Sequence, residues 1–288
     1  MRLNLLEAHS LCLAIVGLDV VGRGLRLRWY LKGLGTELSL SNALTATAWG
    51  DAAAGLTPLR FGGEAAKFAG LIRGGVRPGT ALLGLALEAV VTYPLVFLFG
   101  FWLAFSYAPS WWTEARPLVG NAMLTGWPWL AGIVVLAVAG GWAALRWHRR
   151  KAGATGESVL GLQAALRQVP IWVVLVGIPL SFYNIIGRTL VLPLLASTLP
   201  HHPPFGVMML GSFALLYSQL ILPMPAGVGA VDFGFLAGVA GDLGPDSTGL
   251  LIAWRLYTVG LGAILGVAIA VHTIGWSALR RVFNRESP

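Results

Sequence analysis

The stretch TPLRFGGEAAKFAGLIRGGVRPGTALLGLALEAVVTYP, Thr57–Pro94, decides the fold when it is set beside MPAGVGAVDFGFLAGVAGDLGPDSTGLLIAWRLYTVG, Met224–Gly260. Pro58 matches Pro225, Gly62 matches Gly229, Gly74 matches Gly241 and Pro78 matches Pro245, all at one offset of 167 residues. The same offset sets Glu88 against Arg255. Each of these charges sits inside a long apolar run, where a charge is costly and signals a partner or a function. Matched punctuation of this kind in a membrane chain predicts an inverted repeat with a site at the repeat interface.

Composition sets the solvent. A soluble domain carries about a quarter charged residues; this chain carries 11%, with 56% hydrophobic residues. Apolar stretches of about 18 or more residues recur from end to end, so the chain reads as an all-α polytopic membrane protein, one integral domain over residues 1–288. The longest polar stretch, Arg146–Ser158, leaves no room for a soluble domain. The first apolar segment carries Asp19 and runs into the body of the chain, which argues against a cleavable signal peptide. The single cysteine, Cys12, excludes an intramolecular disulfide and reads as a small buried apolar residue. The net charge of +8 comes from 20 basic and 12 acidic side chains. The basic residues gather at the ends of apolar segments, so membrane orientation explains them and nucleic acid is not an expected partner.

The spacing predicts a first span at about 5–31, ending in the basic cluster Arg23, Arg26, Arg28 and Lys32. A weaker apolar helix at about 39–55 contains Asp51 and halts at Thr57-Pro58, because a residue before proline leaves the helical region. A short helix at about 63–73 follows, ended by Gly74-Gly75. This interrupted pair reads as a re-entrant helical hairpin with its tip at Pro58–Gly63. Pro78 opens a long helix to about Tyr107, closing a first repeat at about 5–107. A linking span at about 128–147, a connector at about 157–168 and a span at about 169–198 come next. A second hairpin, about 205–241 with its tip at Pro223–Gly229, and a last helix from Pro245 to about Trp276 complete a second repeat at about 169–276.

Basic clusters then fix the orientation. With the end of the first span inside, Arg73, Arg77, Arg146–Lys151 and the tail Arg280, Arg281 and Arg285 all fall on the cytoplasmic face. The Trp-rich stretch with Trp111 and Trp112, the loop at His201-His202, and Asp232, Asp242 and Asp246 fall outside. The expectation is a multi-pass inner-membrane protein with a cytoplasmic C-terminus and antiparallel repeats.

Several residues are candidates for a site. Glu88 and Arg255 each lie ten residues into a helix that starts at proline, roughly 15 Å deep at 1.5 Å per residue. They read either as a central charged site or as an ion pair locking the repeats. Arg60 at the first tip precedes a helix start at Gly62-Gly63, where free N–H groups and a guanidinium suit an anion such as a lipid phosphate. The competing reading is that Arg60 caps hairpin carbonyls, while Glu64 and Lys67, three apart, form a local pair. The second tip offers Pro225, Gly227 and Gly229, with Asp232 after it. Asp51, Asn184, Arg188 and Gln219 are further polar residues in apolar runs. Arg23 and Arg188 stand in related words, Gly-Arg-Gly-Leu and Gly-Arg-Thr-Leu, and each alone fits a packing role. His201-His202 lacks zinc-type spacing, and no P-loop, dinucleotide fingerprint or nucleophile–base pattern is present, so no metal or cofactor is expected.

The words Trp29-Tyr-Leu-Lys-Gly-Leu-Gly, Leu59-Arg-Phe-Gly-Gly-Glu-Ala, Pro225-Ala-Gly-Val-Gly-Ala-Val-Asp and Arg255-Leu-Tyr resemble the lysylphosphatidylglycerol synthase transmembrane (flippase-like) family, whose best-known members are the flippase halves of multiple peptide resistance factors. Arg28-Trp29 fits that family's early Arg-Trp word. Arg60, Gly62 or Gly63, and Glu64 fit its Pro-Gly-Arg-x-Gly-Glu word with one residue of slack. Pro225, Gly227, Gly229 and Asp232 approximate its Pro-Gly-Gly-x-Gly word with a following acid. The likeness covers roughly residues 10–275. The chain departs where the family usually has Glu-Arg and here stands Glu88-Ala89. Family members also usually carry a further helix before the first one here, which leaves the natural start open.

The resemblance implies movement of a membrane lipid, phospholipid or polyprenyl-linked, between leaflets, with no enzymatic activity, since no aminoacyl-transferase domain accompanies it. The substrate-binding residues expected on this reading are Arg60, Gly62, Gly63, Glu64, Lys67, Glu88, Pro225, Gly227, Gly229, Asp232 and Arg255. Two other classes stay open: a membrane enzyme using Glu64, Glu88 or Asp232 as acid or base on a lipid headgroup, and a non-transporting scaffold.

Overall fold

The computed structural model describes residues 3–57, 60–107, 169–218, 243 and 246–275. The chain divides into a unit of residues 1–103 and 169–288 and a second unit of residues 104–168, of which only 104–107 are described. The expected linking span, the connector, the second hairpin tip and the basic tail lie outside the described residues. Among the described residues every regular element is helical.

Helix α1, Leu5–Gly33, starts at a capping box: the Asn4 side chain accepts from Glu7 N at 2.8 Å and the Glu7 carboxylate from Asn4 N at 2.9 Å. Its end is fixed by Gly35 at φ +76, where Thr36 N reaches back to the Leu31 carbonyl at 2.9 Å. Helices α2, Leu40–Leu56, and α3, Phe61–Arg73, form an antiparallel pair joined through residues 57–60. A second left-handed glycine, Gly75, closes α3, and Val76 N donates to the Leu71 carbonyl at 3.1 Å. Helix α4, Pro78–Tyr107, begins at the expected proline. Helices α5, Ile171–Ala196, and α6, Phe205–Ser218, follow. The last helix is α7, Ser247–Arg255, continued by a π-helical turn, Leu256–Gly260, into α8, Leu261–Ile274.

Among the described residues, four helices are long and apolar enough to cross a membrane: α1, α4, α5 and the α7–α8 rod, Ser247–Thr273. The protein is a multi-pass membrane protein. Helices α1 and α5 pack antiparallel: Gly187 lies against Ile15, Gly22 against Leu180, and Gly33 against Val173. Close approach by small residues holds the remainder, as expected where lipid removes the hydrophobic drive between helices. The Gly262-x-x-x-Gly266 face of α8 lies on α2, where a Cβ on Gly266 would come within 2.1 Å of the Ala48 carbonyl oxygen.

The buried stripe of α1 runs Cys12, Val16, Asp19, Arg26 and Tyr30, with Arg23 on the same 4-3 spacing. Cys12 and Val16 belong to one apolar cluster with α5, α6 and α7, and Leu27 and Leu31 to another with α2, α3 and Ala81 of α4. The charges of α1 therefore occupy a layer between two apolar clusters.

Candidate functional site

At that layer, among the described residues, four cations and three carboxylates meet in two networks, with Arg26 and Asp19 buried and the others partly buried. In the first, Arg23 grips Asp51 with both terminal nitrogens at 2.7 Å and reaches Asp19 through Nε at 3.1 Å. Arg188 reaches the same Asp19 oxygen through its Nε at 3.0 Å, and Asn184 donates to the other. Asp19 is 1% exposed. In the second network Arg26, 3% exposed, donates to Glu88 and to the Ser181 hydroxyl at 2.8 Å. Lys67 takes the other Glu88 oxygen at 3.1 Å and also Glu64 at 3.1 Å. Both oxygens of each carboxylate thus accept charge-assisted bonds, the strongest class.

Arg60 is the fifth cation. It forms the N-cap of α3 at φ 59, the one non-glycine residue with positive φ among the described residues. It lies within electrostatic reach of Arg188, Asp51, Arg23 and Tyr217. The expected open helix N-terminus is not found there. Thr57 closes it: its hydroxyl donates to the Ala53 carbonyl at 2.8 Å and accepts from Gly62 N at 2.9 Å. The two glycines lie against the end of α2. A Cβ on Gly62 would strike Thr57 at 2.6 Å, and one on Gly63 would strike Ala54 at 2.9 Å, so both serve the α2–α3 contact.

Three further readings change. Glu88 pairs with Arg26 and Lys67, while the Arg255 guanidinium lies over the Trp254 ring, 5.8 Å from its centroid; the structure does not join Glu88 to Arg255. Glu64 and Lys67 do pair, but Lys67 also reaches inward, and Glu64 is 65% exposed. Arg23 and Arg26 belong to the interior and not to a surface basic cluster. The missed signal was the spacing of Asp19, Arg23 and Arg26, four and three apart, which puts all three on one helix face. Pro225, Gly227, Gly229 and Asp232 lie outside the described residues. Cys12 is buried, its Sγ 3.8 Å from the Val191 carbonyl.

Among the described residues, the buried side-chain atoms Arg26 Nε, Tyr30 OH and Trp49 Nε1 show no hydrogen-bond partner. Each can donate, and none is a carboxylate oxygen. The arrangement offers hydrogen-bond donors and positive charge in a low-dielectric interior, the chemistry that holds an anion.

The family model of the lysylphosphatidylglycerol synthase TM region matches residues 3–282, nearly the whole chain. No curated protein and no solved structure matches it. The chain belongs to the lysylphosphatidylglycerol synthase transmembrane family.

Proposed function

We propose that this member of the lysylphosphatidylglycerol synthase transmembrane family passes a lipid headgroup between leaflets through its buried polar layer, with the acyl tails left in the bilayer. The observation that carries the reading is the layer itself: Arg23, Arg26, Asp19, Glu88 and Arg188 inside helices otherwise apolar enough to span, joined by Asp51 and Lys67 from the shorter pair α2 and α3. Each such charge costs about 2.5–3.5 kcal/mol at a helix centre on the insertion scale, and charges kept at that cost commonly mark a transport path.

Geometry supports the finer parts of this reading. At 1.5 Å per residue α2 is about 26 Å long and α3 about 20 Å, short of the roughly 30 Å hydrocarbon core. The pair is read as a re-entrant hairpin whose tip brings Arg60 to the polar layer. The antiparallel packing of α1 on α5 fits an inverted repeat. The basic clusters orient the molecule in an inner membrane with its C-terminus in the cytoplasm. No nucleotide-binding motif is present in the sequence, so movement runs downhill or is coupled to an ion. Glu88, with both oxygens held by cations, is poorly suited to act as an enzyme's proton acceptor.

The test is reconstitution of the whole chain into vesicles holding a headgroup-labelled phospholipid. Loss of inner-leaflet label to a membrane-impermeant quencher should be faster than in empty vesicles, and Arg23→Gln should slow it. Equal rates with and without protein, across neutral, anionic and cationic lipids, would favour the scaffold reading.

A further inference from the structure

We propose that the cavity at the mouth of the α2–α3 hairpin is a second site, apart from the charged layer, where Arg73 and His272 hold the phosphate of a lipid headgroup. The proposal concerns binding and does not rest on the transport reading. The cavity measures about 270 Å³. Ser41, Asn42 and Thr45 line it from the start of α2, Arg73 from the end of α3, and His272 and Thr273 from the end of α8.

Three observations carry the assignment. First, Arg73 is held in place before any ligand arrives. One terminal nitrogen donates to the Thr273 carbonyl, and the guanidinium lies over the Trp49 ring, 5.8 Å from its centroid. Its Nε and other terminal nitrogen make no bond among the described residues, and the side chain is exposed. A pre-set guanidinium loses little freedom on binding, and its planar fork matches phosphate oxygens. Second, the rest of the lining is hydrogen-bonding. His272 adds a ring nitrogen, and Ser41, Asn42 and Thr45 add hydroxyls and an amide. The hydroxyls of Thr47, Thr258 and Thr273 turn back on carbonyls of their own helices. Thr45 makes no such bond among the described residues and lines the cavity instead. Third, the cavity opens where lipid meets water. Ile72 beside Arg73, and Ile264, Leu265 and Val267 on α8, are exposed apolar side chains on the helices that carry the two basic groups. The volume falls just under the roughly 300–1,000 Å³ of pockets for drug-sized ligands, which suits a headgroup whose tails stay outside. Arg73 follows Lys67 by six residues, about 9 Å along α3, so the site is separate from the layer.

The competing role for Arg73 is to cap the last carbonyls of α8. Local protection chooses between them. Ser41→Cys puts a thiol in the cavity wall, and Lys32→Cys puts one at an exposed position of α1 outside that wall. The native Cys12 is buried. The full chain in neutral detergent is labelled with a small polar thiol reagent. Short-chain phosphatidylglycerol, a trimethylammonium diacyl lipid and inorganic phosphate are titrated in turn, and melting temperature is read on the same samples. Phosphatidylglycerol should slow labelling of Ser41→Cys and leave Lys32→Cys unchanged, and the trimethylammonium lipid should protect neither. Adding Arg73→Gln to Ser41→Cys should raise the lipid concentration for half-protection about tenfold, with Arg73→Lys between the two.

Equal protection at Lys32→Cys, protection by the trimethylammonium lipid, or none at Ser41→Cys overturns the site. Unchanged half-protection in a folded Arg73→Gln chain overturns the role of the guanidinium. If Arg73→Gln lowers the melting temperature, Thr45→Val, which leaves the α8 contact alone, takes its place and must weaken protection. Inorganic phosphate protecting at the same concentration as the lipid overturns the assignment to a headgroup.

Discussion

Arg23 and Arg188 place their Nε atoms on the same oxygen of Asp19, at 3.1 and 3.0 Å. They stand on antiparallel helices, α1 and α5, in the related words Gly-Arg-Gly-Leu and Gly-Arg-Thr-Leu. One carboxylate thus serves as counter-ion to two guanidiniums from different parts of the chain. Asp19→Asn strips that charge from both. Removing one partner of a buried ionic set costs about 3–5 kcal/mol, because it leaves an uncompensated charge. The expected outcome is a large drop in the unfolding free energy measured in mixed micelles; an unchanged value contradicts the arrangement.

Glu88 should couple to Lys67 and not to Arg255. A double-mutant cycle of Glu88→Gln with Lys67→Met should give an interaction energy of about 0.5–3 kcal/mol, the range for groups in one network. The cycle of Glu88→Gln with Arg255→Gln should be additive, since Arg255 is stacked on Trp254. Non-additivity in the second cycle with additivity in the first would reverse the assignment.

Glycine positions separate contact from mere flexibility. Gly266→Ala forces a methyl against the Ala48 carbonyl and should destabilise by about 1–3 kcal/mol. Gly249→Ala meets nothing within 4 Å and sits inside α7, so it should be neutral or stabilising by up to about 1 kcal/mol. Melting curves of the two purified variants check the contrast.

Thr57→Val removes both the acceptor for Gly62 N and the donor to the Ala53 carbonyl while keeping the shape. The expected cost is about 1 kcal/mol, with the tip loosened before the rest of the hairpin. Hydrogen exchange at Gly62 reads this directly; protection equal to wild type would show that the hydroxyl does not close the tip.

Cysteine labelling tests the orientation. The native Cys12 is buried, which keeps the wild-type background low. Cysteine substituted at His201 should react with an impermeant reagent added outside, and cysteine substituted at Arg150 should not. The opposite pattern inverts the topology.

The helices were legible because their ends are written in side-chain chemistry: Pro78 at the start of α4, Thr57-Pro58 after α2, and Gly74-Gly75 after α3. The charged layer was only half legible. Glu88, Asp51 and Arg188 stood out as charges in apolar runs, but Lys67 was read as a local partner of Glu64, and Arg23 and Arg26 with the basic end of α1. That helix runs on to Gly33, which carries both arginines inside. Pairing was less legible still. Sequence symmetry set Glu88 opposite Arg255, yet an ion pair depends on which helices are neighbours, and Arg26 of α1 and Lys67 of α3 reach Glu88. The glycines after Arg60 had two readings from sequence alone, exposure to a ligand or contact with a helix, and only the Cβ clearances choose between them.

The π-helical turn at Leu256–Gly260 works like a change of thread in a screw. One extra residue in a turn rotates everything after it by roughly 100° relative to a regular helix. Before the turn, Trp254 bonds Ser212 of α6; after it, Gly262 and Gly266 press on α2. Deleting a single residue between Leu256 and Gly260 would therefore act less as a shortening than as a twist, carrying the glycine face of α8 away from α2 and presenting bulk where the contact needs none.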